Sequence, residues 1–369
     1  MKGAIKILSL IIALLCNISC VEDFKFDVPS DVKGIVVEGY ISNLSYSDQL
    51  AYPKDPAIFE LGLRYTSDVT NVRDEPVLGA QIELHGSSGE VYDYAEIGEG
   101  RYGLFYGEVK ALPGLEYQII ITLEDGTEIY SEMTGLPESS PVGDLFIEEA
   151  SQSVYEYRRD ELVISEKNGI NLNIKTAPNN SGSPYYYKWD FITTFIKTAF
   201  LAGDNSPFRY CWTSSIYYYK DYKLLEDLKG NAPSSLFFLD TNNSRLNEGF
   251  SVMIRQMKMP KGYYQFMKDL QVQGEQSELF AKPPFNLVSN LHSDEINVFG
   301  YFGVVQEDYK RWYFDKDEVS NYGGYKKGCV FDDVPPPYPA SCFNCLQYSY
   351  DGPVSNEAPI WWDSRYSPK

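Results

Sequence analysis

The sequence predicts a mainly β protein: an N-terminal β-sandwich of immunoglobulin-like or transthyretin-like type, followed by a larger β-rich domain with one or two short helices. Three observations support this prediction. Aromatic residues make up 15% of the chain, with 31 tyrosines, and such side chains favour strands. Apolar and polar residues alternate in several short segments. Turn-forming residues separate these segments about every ten positions, as in sandwiches.

The first residues have the layout of a bacterial lipoprotein signal. Lys2 lies in a basic start, residues 7–16 are apolar, and Ser19 directly precedes Cys20. About ten apolar residues are too few to cross a bilayer as a helix, which takes roughly 20. They match the apolar region of a secretory signal instead. The pattern predicts that Cys20 becomes the acylated N-terminus.

The signal defines the first two parts of the predicted domain organisation. We predict a signal peptide over 1–19 and a lipidated tether over 20–31. Asn17, three residues before the cut, departs from the usual lipobox, and simple secretion is therefore the main alternative. Asn17 also fits an ordinary secretory cleavage site poorly.

The predicted sandwich domain covers residues 32–138. Asp125-Gly126 is a two-residue hairpin signal, and the segment 137–141 contains two prolines that end the pattern. The strands expected in this domain are apolar or alternate with period two: residues 35–41, 80–85 and 117–123.

The second predicted domain covers residues 142–369. Its tail, rich in Pro, Gly and Cys, is expected to wrap the surface. One helix is predicted after Pro260, with Gly274 as its end. Its apolar face is formed by Tyr263, Phe266, Met267 and Leu270. The strands are expected at residues 170–175, 187–195, 250–254 and 296–305.

The cysteine count agrees with export. Cys16 leaves with the signal and Cys20 takes the lipid. Four cysteines remain, and an even number in an exported chain indicates disulfides, here two. Four cysteines can pair in three different ways. A zinc site or a redox pair built on the two cysteines at 342 and 345 are the alternatives. The remaining cysteines are Cys211, Cys329, Cys342 and Cys345.

The net charge and the absence of several motifs limit the classes of function that are possible. The formal net charge is −20, which repels nucleic acid and excludes it as a partner. The sequence contains no G-x-S-x-G, H-E-x-x-H, P-loop or EF-hand motif. We therefore expect a protein that is not an enzyme, with no catalytic residues, metal or cofactor. His292 stands beside Ser293 and Asp294, which we interpret as a polar turn.

Aromatic clusters are the remaining candidates for binding. Exposed tyrosine and tryptophan rings can stack on sugars or contact a protein partner. β-propensity alone also produces such runs, so both interpretations stay open. The candidate binding residues are Tyr185, Tyr187, Trp212, Tyr217 and Tyr219.

Several segments along the mature sequence together form a recognisable pattern. They are residues 36–41, 209–212, 263–270, 279–284, 298–302, 342–345 and 359–362. With this pattern the chain resembles the Bacteroidota outer-membrane lipoprotein family catalogued as domain of unknown function 4249. The resemblance covers nearly the whole mature sequence and implies no catalytic residues. It implies SusC-like TonB-dependent receptors as gene neighbours, and the acidic residues after Cys20 resemble a surface-export signal.

These observations predict a function for the chain as a whole. We expect a non-enzymatic lipoprotein that is held in the outer membrane through the lipid on Cys20 and faces the cell exterior. It would capture or gate a glycan or peptide ligand beside a SusC-like TonB-dependent transporter. The alternative is an independent glycan-binding or adhesion lipoprotein.

Overall fold

A computed structural model describes residues 34–66, 75–158, 161–215, 222–231, 233–275, 287–320, 329, 337–348 and 352–368. The predicted signal peptide, the tether and Cys20 lie outside the described residues, and their assignments stay predictions.

The described chain is mainly β with two α-helices, which confirms the predicted fold class. The helices are α1 (Tyr46–Gln49) and α2 (Lys261–Glu275). Short 3₁₀ turns occupy Ser244–Leu246, Lys316–Glu318, Ala340–Cys342, Cys345–Gln347 and Ser364–Tyr366. The strands are β1 (Gly34–Ser42), β2 (Phe59–Tyr65), β3 (Gln81–Gly86), β4 (Val91–Gly98), β5 (Arg101–Leu104), β6 (Glu116–Thr122), β7 (Glu128–Ser131), β8 (Thr134–Gly135), β9 (Asp144–Arg158), β10 (Glu161–Lys175), β11 (Tyr185–Thr198), β12 (Tyr210–Ser215), β13 (Lys223–Asp227), β14 (Pro233–Asp240), β15 (Phe250–Lys258), β16 (Leu291–His292), β17 (Asn297–Tyr313) and β18 (Val354–Ser355).

The strands form one large mixed sheet and one small sheet. The large sheet has 15 strands in the order β16-β7-β6-β3-β4-β5-β2-β1-β17-β15-β11-β12-β18, with β8 added to β6 and β13 to β11. The small sheet has the order β14-β10-β9. Each predicted strand segment overlaps an observed strand, and the predicted helix is α2.

Strand β17 connects the two halves of the large sheet. Its first half pairs in parallel with β1, from Gly34 opposite Asn297 to Ser42 opposite Val305. Its second half pairs antiparallel with β15. Residues from the predicted second domain therefore complete the sheet of the first, while the predicted domain boundaries themselves stay predictions.

The three largest apolar clusters of the described residues hold these layers together. One lies within the N-terminal half and includes Val37, Leu61, Ile119 and Phe302. A second lies between the small sheet and the large sheet, where the apolar face of β10 meets the apolar faces of β11 and β15. The third lies beneath α2, whose Tyr263 ring stacks on Tyr301 at 5.0 Å between centroids.

Two turn predictions are corrected by the structure. Helix α2 continues to Glu275, so Gly274 lies within its last turn instead of ending it. Between β6 and β7 the backbone NH of Leu123 donates to Thr127, so three residues, not two, form the loop. Gly126 has φ +89° there, and this left-handed backbone is the reason that the loop needs glycine.

Gly300 offers a test of the parallel pairing of β1 and β17. It has φ +99°, and a Cβ atom there would collide with the backbone carbonyl of Val37. We expect Gly300→Ala to lower the free energy of unfolding by about 3 kcal/mol, from backbone strain and displacement of β1. Urea unfolding of the purified mature chain measures this loss.

Gly62 in β2 is the matched control. Its φ is not positive, and the nearest atom to an added Cβ is 3.9 Å away. Gly62→Ala should leave the free energy of unfolding within about 1 kcal/mol of the unsubstituted chain. Equal effects of the two substitutions would contradict the close approach of β1 and β17.

Candidate functional site

A cluster of charged and phenolic side chains lies on one side of the large sheet, where four neighbouring strands meet. Asp190 on β11 is directly opposite Arg255 on β15. The Arg255 Nε donates to Asp190 Oδ2 at 3.0 Å, and its Nη1 donates to the Tyr40 hydroxyl at 3.1 Å. Tyr40 on β1 donates in turn to Glu307 Oε1 on β17 at 3.2 Å. The cluster thus joins β1, β17, β15 and β11.

Further partners complete the cluster at both ends. Lys188 donates to Asp190 Oδ1 at 2.7 Å. The Tyr309 hydroxyl donates to Glu307 at 3.2 Å, and Lys54, in the segment after α1, donates to Tyr309 at 3.0 Å. The Glu307 side chain is only 2% exposed. Because its charges are paired with one another, we interpret the cluster as a structural centre.

The charges of the cluster shift one another's ionisation. Burial alone would raise the pKa of Asp190, but Arg255 and Lys188 outweigh it and lower this pKa from 3.8 to about 2. Burial lowers the pKa of Lys188 against the attraction of Asp190. Burial, followed by the charge of Glu307, raises the pKa of Tyr40. Burial lowers the pKa of Lys54 to about 8.

The lowered pKa of Asp190 makes stability depend on pH in acid. The pKa of Asp190 is lower in the folded chain than its unfolded value of 3.8. The ionised carboxylate therefore contributes stability above about pH 4, and this contribution is lost as the pH falls towards about 2. The expected loss is about 2.5 kcal/mol. Urea unfolding between pH 6 and pH 2 should show a shallower decline in Asp190→Asn than in the unsubstituted chain. Identical declines would contradict the assignment.

The four remaining cysteines form two disulfides, as predicted. Cys211 on β12 bonds to Cys345, with 5.6 Å between Cα atoms. Cys329 bonds to Cys342, with 5.8 Å between Cα atoms. The cysteines at 342 and 345 therefore have different partners, and neither the zinc site nor the redox pair forms. Both bridges hold the C-terminal segment, and the first fastens it to the large sheet.

The predicted binding aromatics have different surroundings. Tyr187 is fully buried in the second core, because the odd-numbered residues of β11 face the small sheet. Tyr185 is half-buried and its ring covers the ammonium of Lys258 at 3.1 Å from the ring centroid. Trp212 is half-buried against Trp362, with 6.4 Å between centroids. Tyr187 is therefore a core residue and is closed to a ligand.

The other two predicted aromatics, Tyr217 and Tyr219, lie outside the described residues.

Within the described part, no group of three or more His, Cys, Asp or Glu side chains is placed to hold a metal ion. His292 lies 3.3 Å from Glu132 and packs against Tyr130. No described helix is both long enough and apolar enough to cross a membrane.

A small cavity beside β11 is bordered by two cations. Its volume is about 200 Å³, and Lys197, Arg245 and Tyr348 are among its lining residues. The Lys197 ammonium lies 5.0 Å from the centroid of the Tyr348 ring. Pockets for drug-sized ligands measure roughly 300–1,000 Å³, so this cavity is too small for a ligand of that size.

A long hairpin, β9–β10, has four exposed apolar side chains near its tip. Tyr155 and Tyr157 are 72% and 79% exposed, and Leu162 and Ile164 are 56% and 65% exposed. Ile164 pairs with Tyr155 and Leu162 with Tyr157, so the four side chains share one face of the ribbon. We call these four residues the tip face. The sequence pattern did not identify the tip face as exposed. The alternation of apolar and polar residues in these strands is equally typical of a strand with one buried face.

Comparisons with known proteins identify a family but no activity. Residues 21–311 match the family described as a domain of unknown function, DUF4249. No curated protein matches. Among solved structures, a DUF4785 family protein from Legionella pneumophila is similar at 11% identity and a TM-score of 0.19. That match covers 60% of this chain and 52%, about half, of the other. The chain belongs to the DUF4249 family.

Proposed function

We propose that this chain is a surface-exposed outer-membrane lipoprotein that works without catalysis beside a SusC-like TonB-dependent transporter, capturing or gating its ligand. The observation that carries the proposal is the lipoprotein signal before Cys20. One acylated terminus with two or three chains anchors firmly, because each buried methylene contributes about 0.8 kcal/mol. The resemblance to Bacteroidota outer-membrane lipoproteins supplies the transporter as the partner.

The position and the charge of the folded part are compatible with anchoring through Cys20. The first described strand begins at Gly34, shortly after Cys20 in the chain. The net charge of −20 disfavours close contact with anionic head groups. For the captured ligand, the cavity beside Lys197 and Arg245 favours a small anionic group.

Acylation of Cys20 is the direct test of the anchor. We expect the intact mass of the chain purified from membranes to correspond to a start at Cys20 with its acyl chains. Cys20→Ser should move the chain from the membrane fraction to the soluble fraction. External protease should degrade the wild-type chain on intact cells. An unacylated N-terminus in the membrane-derived chain would refute the anchor.

Independent glycan binding is the alternative, and the structure weakens part of its basis. Of the described aromatics on which it depended, Tyr187 is buried and Tyr185 covers Lys258. A glycan array tests it directly. Binding that is lost in Trp212→Ala, without any transporter in the purified membranes, would favour the alternative.

A further inference from the structure

We propose that the tip face of the β9–β10 hairpin is the surface through which this protein docks on the transporter. The inference rests on the proposed function and adds the contact surface to it. The tip face consists of two tyrosines, one leucine and one isoleucine, each more than half exposed. Exposed apolar groups of this kind concentrate at protein interfaces, where tyrosine is enriched among the residues that dominate affinity.

In the outer half of the hairpin, β9 and β10 pair with each other and with no third described strand. Strand β14 pairs with β10 only from Gly169 to Lys175, while β9 and β10 continue to pair as far as Arg158 opposite Glu161. Eight residue pairs therefore form a two-stranded ribbon, about 27 Å long at 3.4 Å per residue. Such a ribbon is marginal in water by itself, so its anchored base and a bound partner both stabilise it.

The tip face continues the side of the ribbon that packs into the core. Ile170, Leu172 and Ile174 on β10 are fully buried against the large sheet. Leu162 and Ile164 have the same even-numbered spacing, so they lie on the same side of the strand. Two polar pairs on the same side, Ser151 with Asn168 and Ser153 with Glu166, separate the tip face from this buried part. The tip face is therefore a separate apolar patch that the described chain leaves exposed.

The opposite face of the ribbon has a different character. Glu156 pairs there with Lys167 at 3.2 Å and with Arg158 at 3.2 Å. These side chains satisfy one another, and screened pairs of this kind contribute little to binding. Val154 and Val163 lie on this face too, but both are half-buried. The four exposed large apolar side chains of the ribbon all lie on the tip face, which gives a docking partner a defined side.

A lipid surface does not fit the tip face. Strand β9 is an edge strand, and no described strand pairs with its outer backbone groups. Entering hydrocarbon would leave these NH and carbonyl groups unsatisfied at several kcal/mol each. A protein partner can pair with the edge while it covers the apolar face.

A second copy of the chain is also disfavoured. Two copies would each bring a net charge of −20, and this repulsion opposes association. The charge is complementary to a partner whose surface around the contact is neutral or basic. The occupant that fits is thus a protein with an apolar patch and an accessible strand edge, and the proposed transporter is the candidate.

Site-specific crosslinking in native membranes tests the docking face. A photo-reactive amino acid replaces Tyr157 or Ile164 in the full-length chain, and Val163, on the opposite face, is the matched control position. We expect adducts with a TonB-dependent receptor, identified by mass spectrometry, at least tenfold more abundant from the first two positions. Adducts with a second copy, adducts with lipid alone, or equal yields from both faces would overturn the proposal.

A variant pair separates failure of this inference from failure of the proposed function. Tyr155→Ala with Tyr157→Ala should reduce the recovered receptor at least tenfold, while Glu156→Gln on the other face leaves recovery unchanged. Thermal unfolding confirms that both variants fold. If the wild-type chain recovers receptor and the tyrosine variant recovers as much, the docking inference alone is wrong. If the wild-type chain recovers none, the proposed function is wrong and the inference fails with it.

Discussion

Arg255→Ala is expected to lower the free energy of unfolding by about 4 kcal/mol. Arg255 is the cation that contacts both Asp190 and Tyr40, and its Nη1 lies 3.8 Å from the buried Glu307. Removing the guanidinium leaves two carboxylates in the cluster, of which Lys188 directly compensates only Asp190. Glu307 would keep the hydroxyls of Tyr40 and Tyr309 as donors but lose the guanidinium charge beside it. A buried carboxylate is costly when no adjacent cation offsets the water that it has lost.

Arg101→Ala is the matched control for Arg255. Arg101 pairs with Glu60 at 3.4 Å, and their side chains are 55% and 44% exposed. An exposed pair contributes at most about 1 kcal/mol. Urea unfolding of both variants at pH 7 compares them, and Arg255→Met tests whether the charge or the volume is lost. Similar small losses in all three variants would show that the cluster does not stabilise the fold.

Removal of the Cys211–Cys345 disulfide is expected to cost about 4 kcal/mol or more. The two cysteines are 134 residues apart, and closing so long a loop restricts the unfolded chain strongly. The double variant Cys211→Ala with Cys345→Ala removes the bridge without placing hydroxyl groups in these fully buried positions. Urea unfolding under oxidising conditions measures the loss.

The second bridge is the internal control. Cys329 and Cys342 are 13 residues apart, so their loop is short, and the chain-entropy relation predicts a loss of about 3 kcal/mol. We expect Cys329→Ala with Cys342→Ala to remain more stable than the first double variant. The reverse order would mean that loop length does not govern the contribution of these bridges.

The sequence was sufficient for most individual elements. The alternation of Ile170, Leu172 and Ile174 predicted a strand with one buried face, and the helical spacing from Tyr263 to Leu270 predicted α2. The cysteine count predicted two disulfides. It left the pairing open, since three connectivities were equally compatible with the sequence.

The long-range arrangement was beyond the sequence pattern. Gly34 and Asn297 pair in parallel although they lie far apart in the chain, and periodicity is a local signal that contains no register between distant strands. Lys188 and Asp190 alternate with buried aromatics, so they have the pattern of a solvent-facing side. The structure instead places Arg255 and the buried Glu307 against that side.

The binding aromatics show the same limit. Tyr185 and Tyr187 have the same parity on β11, and their exposure depends on the small sheet and on Lys258, which only the tertiary structure brings near. The tip face is the reverse case. Tyr155 and Tyr157 have the alternation of a half-buried strand, yet nothing in the described chain covers them. Local sequence determines which side is apolar, and tertiary structure determines whether that side is covered.

Purification of the tagged full-length chain from detergent-solubilised native outer membranes, with identification of its partners, is the most direct test of the transporter proposal. We expect an acylated chain that recovers a TonB-dependent receptor in near-stoichiometric amount and loses it when Tyr155 and Tyr157 are replaced. An acylated, folded chain that emerges from these membranes without any such receptor would contradict the account.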